Sequence, residues 1–218
     1  MPGIRNQESI AKYRTKAPVY DARSHRTWKL RERTIAHLRL RHDDVVVDAG
    51  CGTGLSFELL LASVGPSGRV IGIEQSPEMF ALARERVARA GWANVEVMNA
   101  YCETVELPAR FDAILFNYTH DILRTNAAVA RLFRFAKPDA RVAIAGMKYF
   151  PWWTGPLNIY AFFKNRAYNG VAGDLWAPWD IVAQHIADLR ISSTQFGMGY
   201  IAHGIARSPV AQSSAGPS

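Results

Sequence analysis

The sequence predicts an α/β protein: a doubly wound sheet, mostly parallel, of seven strands, with an antiparallel closing strand. Three observations carry this prediction. Apolar β-branched runs alternate with helical stretches from Asp44 to Gly146; the run VVVDAGCGTG, Val45 to Gly54, leads a strand straight into a glycine-rich turn; and two apolar stretches near the end are separated by a short turn. Strands separated by helices of this length argue a parallel sheet covered on both faces.

In order, the first strand is Asp44 to Ala49, followed by a helix from about Leu55 to Val64 and a GPSG turn. The second strand, Arg69 to Glu74, leads to a helix opened by Ser76-Pro77-Glu78 and running to about Ala90. A serine cap followed by proline at the first helical position is a strong start signal. Strands Val95 to Met98, Phe111 to Asn117 and Ala140 to Gly146 follow, with a helix near Asn126 to Ala136 and KPDAR as the turn before the fifth strand. Leu189 to Gln195 and Met198 to Arg207 form the expected antiparallel pair at the sheet edge. Helices over 8–17 and 23–40, broken at Pro18, precede the core, and the small polar tail 208–218 reads as disordered. The domain plan is thus a helical lid over 1–43, a core over 44–207 with an aromatic insertion at about 148–179, and a tail.

The chain has 218 residues and a net charge of +7, and the excess is local. Residues 1–41 hold eleven Lys or Arg against three Asp or Glu, a balance of +8, so the remainder is close to −1. No run approaches the roughly 18 apolar residues of a membrane span, and the N-terminus lacks a signal-peptide pattern, so a cytoplasmic protein is expected. Cys51 and Cys102 are too few for a disulfide framework and have no neighbours at metal-ligand spacing. No metal is expected.

The glycine turn points to a nucleotide-like ligand. A strand, a glycine-rich turn and a helix N-terminus set backbone N–H groups and a positive dipole end beside a ligand at the carboxyl edge of the sheet. A dinucleotide fingerprint runs G-x-G-x-x-G, whereas Gly50, Gly52 and Gly54 run G-x-G-x-G and Leu55 stands where the third glycine belongs. Asp48, at the end of the first strand, repels a pyrophosphate and attracts a cation. Glu74 ends the second strand, twenty residues after Gly54, where a carboxylate can accept from both hydroxyls of a ribose. S-adenosylmethionine has both features: an adenosine ribose and a sulfonium with an ammonium group.

With DAGCGTG and GIEQSPEMFALARERV in view, the chain resembles the class I S-adenosylmethionine-dependent methyltransferases, Rossmann-like in fold, and in particular the ubiquinone and menaquinone biosynthesis subgroup. The resemblance covers about Val45 to Gly146. It implies that Asp48, Gly50, Gly52 and Glu74 line the cofactor pocket, with Cys51, Gly54 and Gln75 in the same two strand tips and Ser76 and Met79 flanking the adenine. The family often has an acid after the third strand; NAYC stands here, so Tyr101 or Cys102 takes that place. Asn117 ends the fourth strand where the methyl group should lie. His120 is the candidate general base, with a loop-fixing role as the alternative. APVYD resembles a lid element of such enzymes, which makes Tyr20 a candidate for contact with cofactor or acceptor.

Ten residues from Tyr149 to Trp179 are aromatic, a composition suited to an apolar or planar acceptor. The expected activity is methyl transfer to an N, O or S atom of a small apolar or aromatic metabolite. The runner-up is a phospholipid headgroup N-methyltransferase in peripheral contact with an anionic membrane through Arg23, Arg26, Lys29, Arg31 and Arg33. Nucleic acid is disfavoured, because only charge speaks for it. The sequence leaves the oligomeric state open.

Overall fold

The computed structural model describes residues 28–150, 154–155, 158 and 175–207. The helix expected over 8–17, Tyr20, most of the aromatic stretch and the tail lie outside the described residues. The elements are α1 (Trp28–Ala36), β1 (Val45–Ala49), α2 (Phe57–Val64), β2 (Arg69–Glu74), α3 (Pro77–Ala90), β3 (Val95–Asn99), β4 (Phe111–Asn117), α4 (His120–Leu123), α5 (Asn126–Phe133), β5 (Ala136–Met147), α6 (Asp180–Ala183), β6 (Ile186–Thr194) and β7 (Gly199–Ala206).

The seven strands form one sheet of order β3-β2-β1-β4-β5-β7-β6. The first five are mutually parallel; β7 enters antiparallel between β5 and β6, with Met147 opposite Gly199 and Arg141 opposite Ile205. The chain leaves β1 in one direction toward β2 and returns on the other side as β4, so a crevice opens at the carboxyl tips where the order reverses. One sheet face packs on α1, α2 and α3 through Ile35, Leu38, Phe57, Leu60 and Ala83. The other packs on α5 and α6 through Val129, Leu132 and Val182, and Tyr200 is fully buried there. β1, β2 and β4 are apolar along most of their length because both faces are covered.

The two edges of the sheet are finished differently. At the amino ends, Asp112 accepts from the Val45 N–H at 2.9 Å and from Lys137 Nζ at 2.7 Å. Arg141 pairs with Asp44 at 2.8 Å on the same edge. At the carboxyl ends, buried side-chain atoms stand without a partner, among them Asp48 Oδ2 and Thr119 Oγ1. Buried polar atoms are normally paired, so these two set the carboxyl edge apart from the amino edge.

Several boundaries differ from the sequence expectation, β6 for one starting at Ile186 rather than Leu189, and three have a visible cause. The helix before the fifth strand ends at Phe133, and β5 begins at Ala136, so KPDAR lies inside the strand rather than in a turn before it. The register against β4 shifts between Phe111 and Ala113, and Asp139 has φ 60°. Pro138 has no N–H for the ladder, and a bulge absorbs the interruption. The second difference is that α2 starts at Phe57 rather than Leu55, because the Phe57 N–H closes a turn onto Gly54 O at 3.1 Å. Third, within 23–40 the described helix is Trp28–Ala36, and Arg39, at φ 45°, has left helical geometry. The α3 start matches the expectation: Ser76 Oγ accepts from the Met79 N–H at 3.4 Å, with Pro77 at the first helical position.

The end of α1 is clasped to β7 by stacked imidazoles, His37 and His203, with ring centroids 4.1 Å apart and planes 12° apart. Burial, then Arg33 and Arg39, lowers the pKa of His37; burial, then His37, Arg190 and Arg39, lowers that of His203. Both rings therefore stay neutral in the fold at a pH where the unfolded chain has taken up protons. The pair's own contribution to stability is expected to fall as the pH drops below about 6.5, the ordinary histidine value, against the opposite trend of the buried carboxyls Asp48 and Glu74. Thermal unfolding at pH 7 and pH 5 checks this, and His203→Phe, which keeps a flat ring, should show the smaller loss.

Candidate cofactor-binding site

The tips of β1 and β2 and the loop between β1 and α2 build one site. The turn after β1 is drawn onto β2 by Gly50 and Cys51, whose N–H groups donate to Ile73 O at 2.8 and 3.0 Å. Glu74 then grips the loop: Oε2 accepts from the Gly52 N–H at 2.9 Å and Oε1 from the Ser76 N–H at 2.7 Å. Burial pushes the Glu74 pKa up, while the N–H donors of Ser76, Gly52 and Gln75 push it back down. Glu74 thus fixes the glycine loop, a role the sequence did not reveal, and a carboxylate with about four acceptor positions still has capacity for hydroxyls.

The three glycines divide by surroundings. A Cβ at Gly50 would stand 2.5 Å from Thr119 Cγ2, and one at Gly54 would stand 2.5 Å from the Phe57 ring. Those two glycines let the loop pack. Gly52, at φ +59°, has nothing among the described residues within 4 Å of its absent Cβ, apart from its chain neighbours.

Asp48 is 1% exposed, with Oδ2 lacking any partner. Burial pushes its pKa up to about 6, against the nearby Arg31 charge and a hydrogen bond from Ser56. A buried carboxylate with one oxygen unpartnered is costly, which makes Asp48 a candidate for a further partner. Arg31, on α1, is 7% exposed and donates from Nη1 to Ser56 Oγ at 2.5 Å. With its amide oxygen turned to the guanidinium, Asn117 accepts from Arg31 at 2.9 and 3.2 Å; the opposite orientation would set NH₂ against donors. Arg31 is a functional candidate that sequence reading missed. It was grouped with the membrane-facing cations, but it points inward, whereas Lys29 and Arg33 are exposed and Arg23 and Arg26 lie outside the described residues. The helical phase of three neighbouring cations gave no sign of which one the core would admit.

Met79 is 2% exposed under the tip of β2, and Gln75 is partly buried beside it. Tyr101 and Cys102 follow β3, with Tyr101 O accepting from the Thr104 and Val105 N–H groups. Cys51 and Cys102 are free and buried, and burial pushes both thiols up, so neither is a thiolate nucleophile. Asn117 and Tyr118 end β4, and Tyr118 adopts φ 62°, a strained conformation for a residue with a Cβ.

His120 is buried at the start of α4, and its Nε2 accepts from the Met147 N–H at 3.2 Å. The basic nitrogen is therefore already engaged. A Cβ at Gly146 would come within 2.8 Å of His120 Cε1 and 2.9 Å of the Tyr200 ring, so the glycine makes room for both. Of the aromatic stretch, Tyr149 packs with Leu175, Phe150 and Met198, and its ring lies 5.2 Å from that of Trp176. Among the described residues, no cluster of three or more metal-type side chains occurs, and no helix is long and apolar enough to cross a membrane.

A seven-stranded sheet of this order, with β7 antiparallel and an acid at each of the first two tips around a glycine loop, is the architecture expected of the class I S-adenosylmethionine-dependent methyltransferases. Comparison with known proteins agrees: residues 46–139 match the family model described as "Methyltransferase domain". The chain is 30% identical over 142 residues to 2-phytyl-1,4-beta-naphthoquinone methyltransferase of Arabidopsis thaliana, covering 59% of this chain and 53% of the relative. It is 33% identical over 106 residues to arsenite methyltransferase of Halobacterium salinarum, covering 47% and 27%. Among solved structures, a SAM-dependent methyltransferase from Aquifex aeolicus superposes with TM-score 0.59 at 23% identity, covering 81% of this chain and 89% of the other, which speaks for the fold. The chain spans about half the length of the first of these relatives and about a quarter of the second. It resembles the quinone methyltransferase subgroup.

Proposed function

We propose that the chain is an S-adenosylmethionine-dependent methyltransferase acting on a small apolar or aromatic acceptor. The observation that carries the reading is Asp48: a buried carboxylate with an unpartnered oxygen, beside an open glycine loop that Glu74 holds in place. These residues fit the cofactor. Asp48 suits its ammonium end, Gly52 leaves room for its body, and Glu74 is placed for its ribose hydroxyls. Gly50, Cys51, Gly54, Gln75, Met79, Tyr101, Cys102 and Asn117 would complete the walls, and the aromatic stretch would supply the acceptor side.

When bound, the cofactor supplies an electrophilic methyl group with a good leaving group. The chain's own work is alignment and exclusion of water rather than strong acid–base catalysis. We assign His120 a positioning role, because its Nε2 lone pair holds the Met147 N–H and would have to release it before taking a proton. His120→Ala is expected to leave cofactor affinity within about threefold and to cost roughly 1 kcal/mol of stability by leaving the part-buried Met147 N–H without its acceptor. Calorimetry and thermal unfolding read both, and loss of a rate–pH limb near neutrality in the variant would restore the base assignment.

The reading is tested by calorimetry with S-adenosylhomocysteine, followed by incubation of labelled S-adenosylmethionine with quinol, phenol and lipid pools and a search for products heavier by one methyl. Micromolar binding and a labelled small aromatic product are expected. Uptake of a nicotinamide or flavin nucleotide in place of S-adenosylhomocysteine overturns the reading. A labelled phospholipid would move it to the lipid enzyme, which burial of Arg31 deprives of one of its five named cations.

A further inference from the structure

Positive side chains gather where the end of α1 meets β7. His37 and His203 stack there with ring centroids 4.1 Å apart. Arg190 stands directly opposite His203 in the pairing of β6 with β7, so both side chains leave the same face of the sheet. Arg33 lies in the last turn of α1, four residues before His37, and Arg39 follows His37 by two. None of these five side chains takes part in a hydrogen bond or ion pair among the described residues. Neighbouring cations are engaged: Arg141 pairs with Asp44 at 2.8 Å, and Arg207 donates to Ile186 O at 3.2 Å.

Burial depresses the pKa of both rings, and the charges that add to it, Arg33, Arg39, Arg190 and His37, are all positive. No carboxylate acts on either ring: Asp44 is held by Arg141, Glu32 accepts from Trp28 Nε1 at 2.8 Å, and Asp188, in the bulge of β6, is not among the acting groups. Guanidinium groups brought together without an anion repel one another. Three permanent charges and two imidazoles able to add a proton match an anion with several negative charges and many acceptor oxygens. That is the chemistry of an oligophosphate, whose oxygens suit guanidinium forks. The place is distinct as well. β7 starts at Gly199, opposite Met147 at the carboxyl end of β5, and His203 lies four residues further along, about 13 Å from that edge.

We propose that His37, His203, Arg33, Arg39 and Arg190 form a receptor for a multiply charged phosphate anion, on the α1 side of β7 and apart from the cofactor crevice. Bound there, the anion offsets the repulsion among the guanidinium groups, and the two imidazoles take up protons as it arrives. Affinity therefore strengthens as the pH falls through about 6.5, the ordinary histidine value, and binding consumes protons. The phosphate belongs either to a free oligophosphate or to the headgroups of a lipid surface, and the same five groups receive both.

The test is calorimetry on the full chain with trimetaphosphate, a cyclic anion whose charge stays constant across the range in which imidazole titrates. Binding is expected to tighten severalfold from pH 7 to pH 6, with proton uptake read by repeating the titration in buffers of different ionisation enthalpy. Arg190→Met should weaken it about tenfold or more, the size of a lost charge-assisted hydrogen bond, with the thermal midpoint little changed. The double variant His37→Phe with His203→Phe keeps two flat rings and should lose both the pH dependence and the proton uptake. Arg134→Met removes an exposed charge at the end of α5, on the opposite face of the sheet, and should bind as the wild type does. Equal weakening in Arg190→Met and Arg134→Met, binding without proton uptake, or no binding of trimetaphosphate at pH 6 overturns the receptor. Sedimentation with phosphatidate vesicles separates the sources. Retention that Arg190→Met abolishes and trimetaphosphate competes away assigns the phosphate to a lipid surface, whereas trimetaphosphate binding without retention assigns it to a free anion. A chain that binds no S-adenosylhomocysteine leaves this receptor standing, because the two sites share no residue.

Discussion

Asp48→Ala should lower affinity for S-adenosylhomocysteine by a hundredfold or more, with the chain still folded. The carboxylate is buried at the tip of β1 with one oxygen unpartnered, so a ligand ammonium would meet it in a poorly hydrated place where charge attraction is only weakly screened. Removing one partner of a buried charge pair typically costs about 2–5 kcal/mol of binding, or about 30-fold to several thousandfold. The same reasoning fixes a pH dependence. Asp48 takes up a proton near pH 6, well above an ordinary aspartate, whereas the bound cation requires it ionised. Affinity should therefore be level above about pH 7 and weaken as pH falls through 6, approaching tenfold per unit below it. In Asp48→Asn that slope should vanish. A steep slope persisting in the Asn variant, or unchanged affinity in Asp48→Ala, would remove Asp48 from the site.

Gly52→Val should abolish cofactor binding while leaving a folded chain. Among the described residues, nothing beyond its chain neighbours lies within 4 Å of the position a Cβ would take, so the new side chain meets none of the described core. The backbone there sits at φ +59°, so a β-branched residue brings strain of order 1–3 kcal/mol, a cost the fold can bear. The valine methyl groups would fill the cradle beside the Gly52 N–H that Glu74 holds. Gly50→Ala is the informative contrast: its Cβ would collide with Thr119 at 2.5 Å, and the loss should appear first as a lowered thermal midpoint. Normal binding by Gly52→Val would show that the ligand lies elsewhere.

The fold was largely legible because its signals are local. β-branched runs and the Ser76-Pro77 start fix strands and helices within a few residues, and covered strands need no alternation that turns or exposure would blur. What misled was also local. KPDAR has the composition of a turn, yet it sits in a bulged strand because β4 lies alongside and supplies the pairing that overrides the preference. The candidate site was legible where one stretch of chain makes it, in that Asp48, Gly52 and Glu74 stand together at two consecutive strand tips. It was not legible where separated elements meet. Glu74 as the brace of the glycine loop, His120 as acceptor for the Met147 N–H, and Arg31 as an inward cation each depend on a contact across 22 or more residues.

The order and type of elements, the glycine loop and the two strand-tip acids were determined by the sequence alone, because each follows from spacing and chemistry within a few residues. The tertiary structure decided which glycine faces open space, which of three neighbouring cations on α1 enters the crevice, and whether the imidazole of His120 has a lone pair to spare. Those outcomes turn on what a distant part of the chain places against each side chain, and burial sets both the charge state and the partners only once the chain has closed on itself.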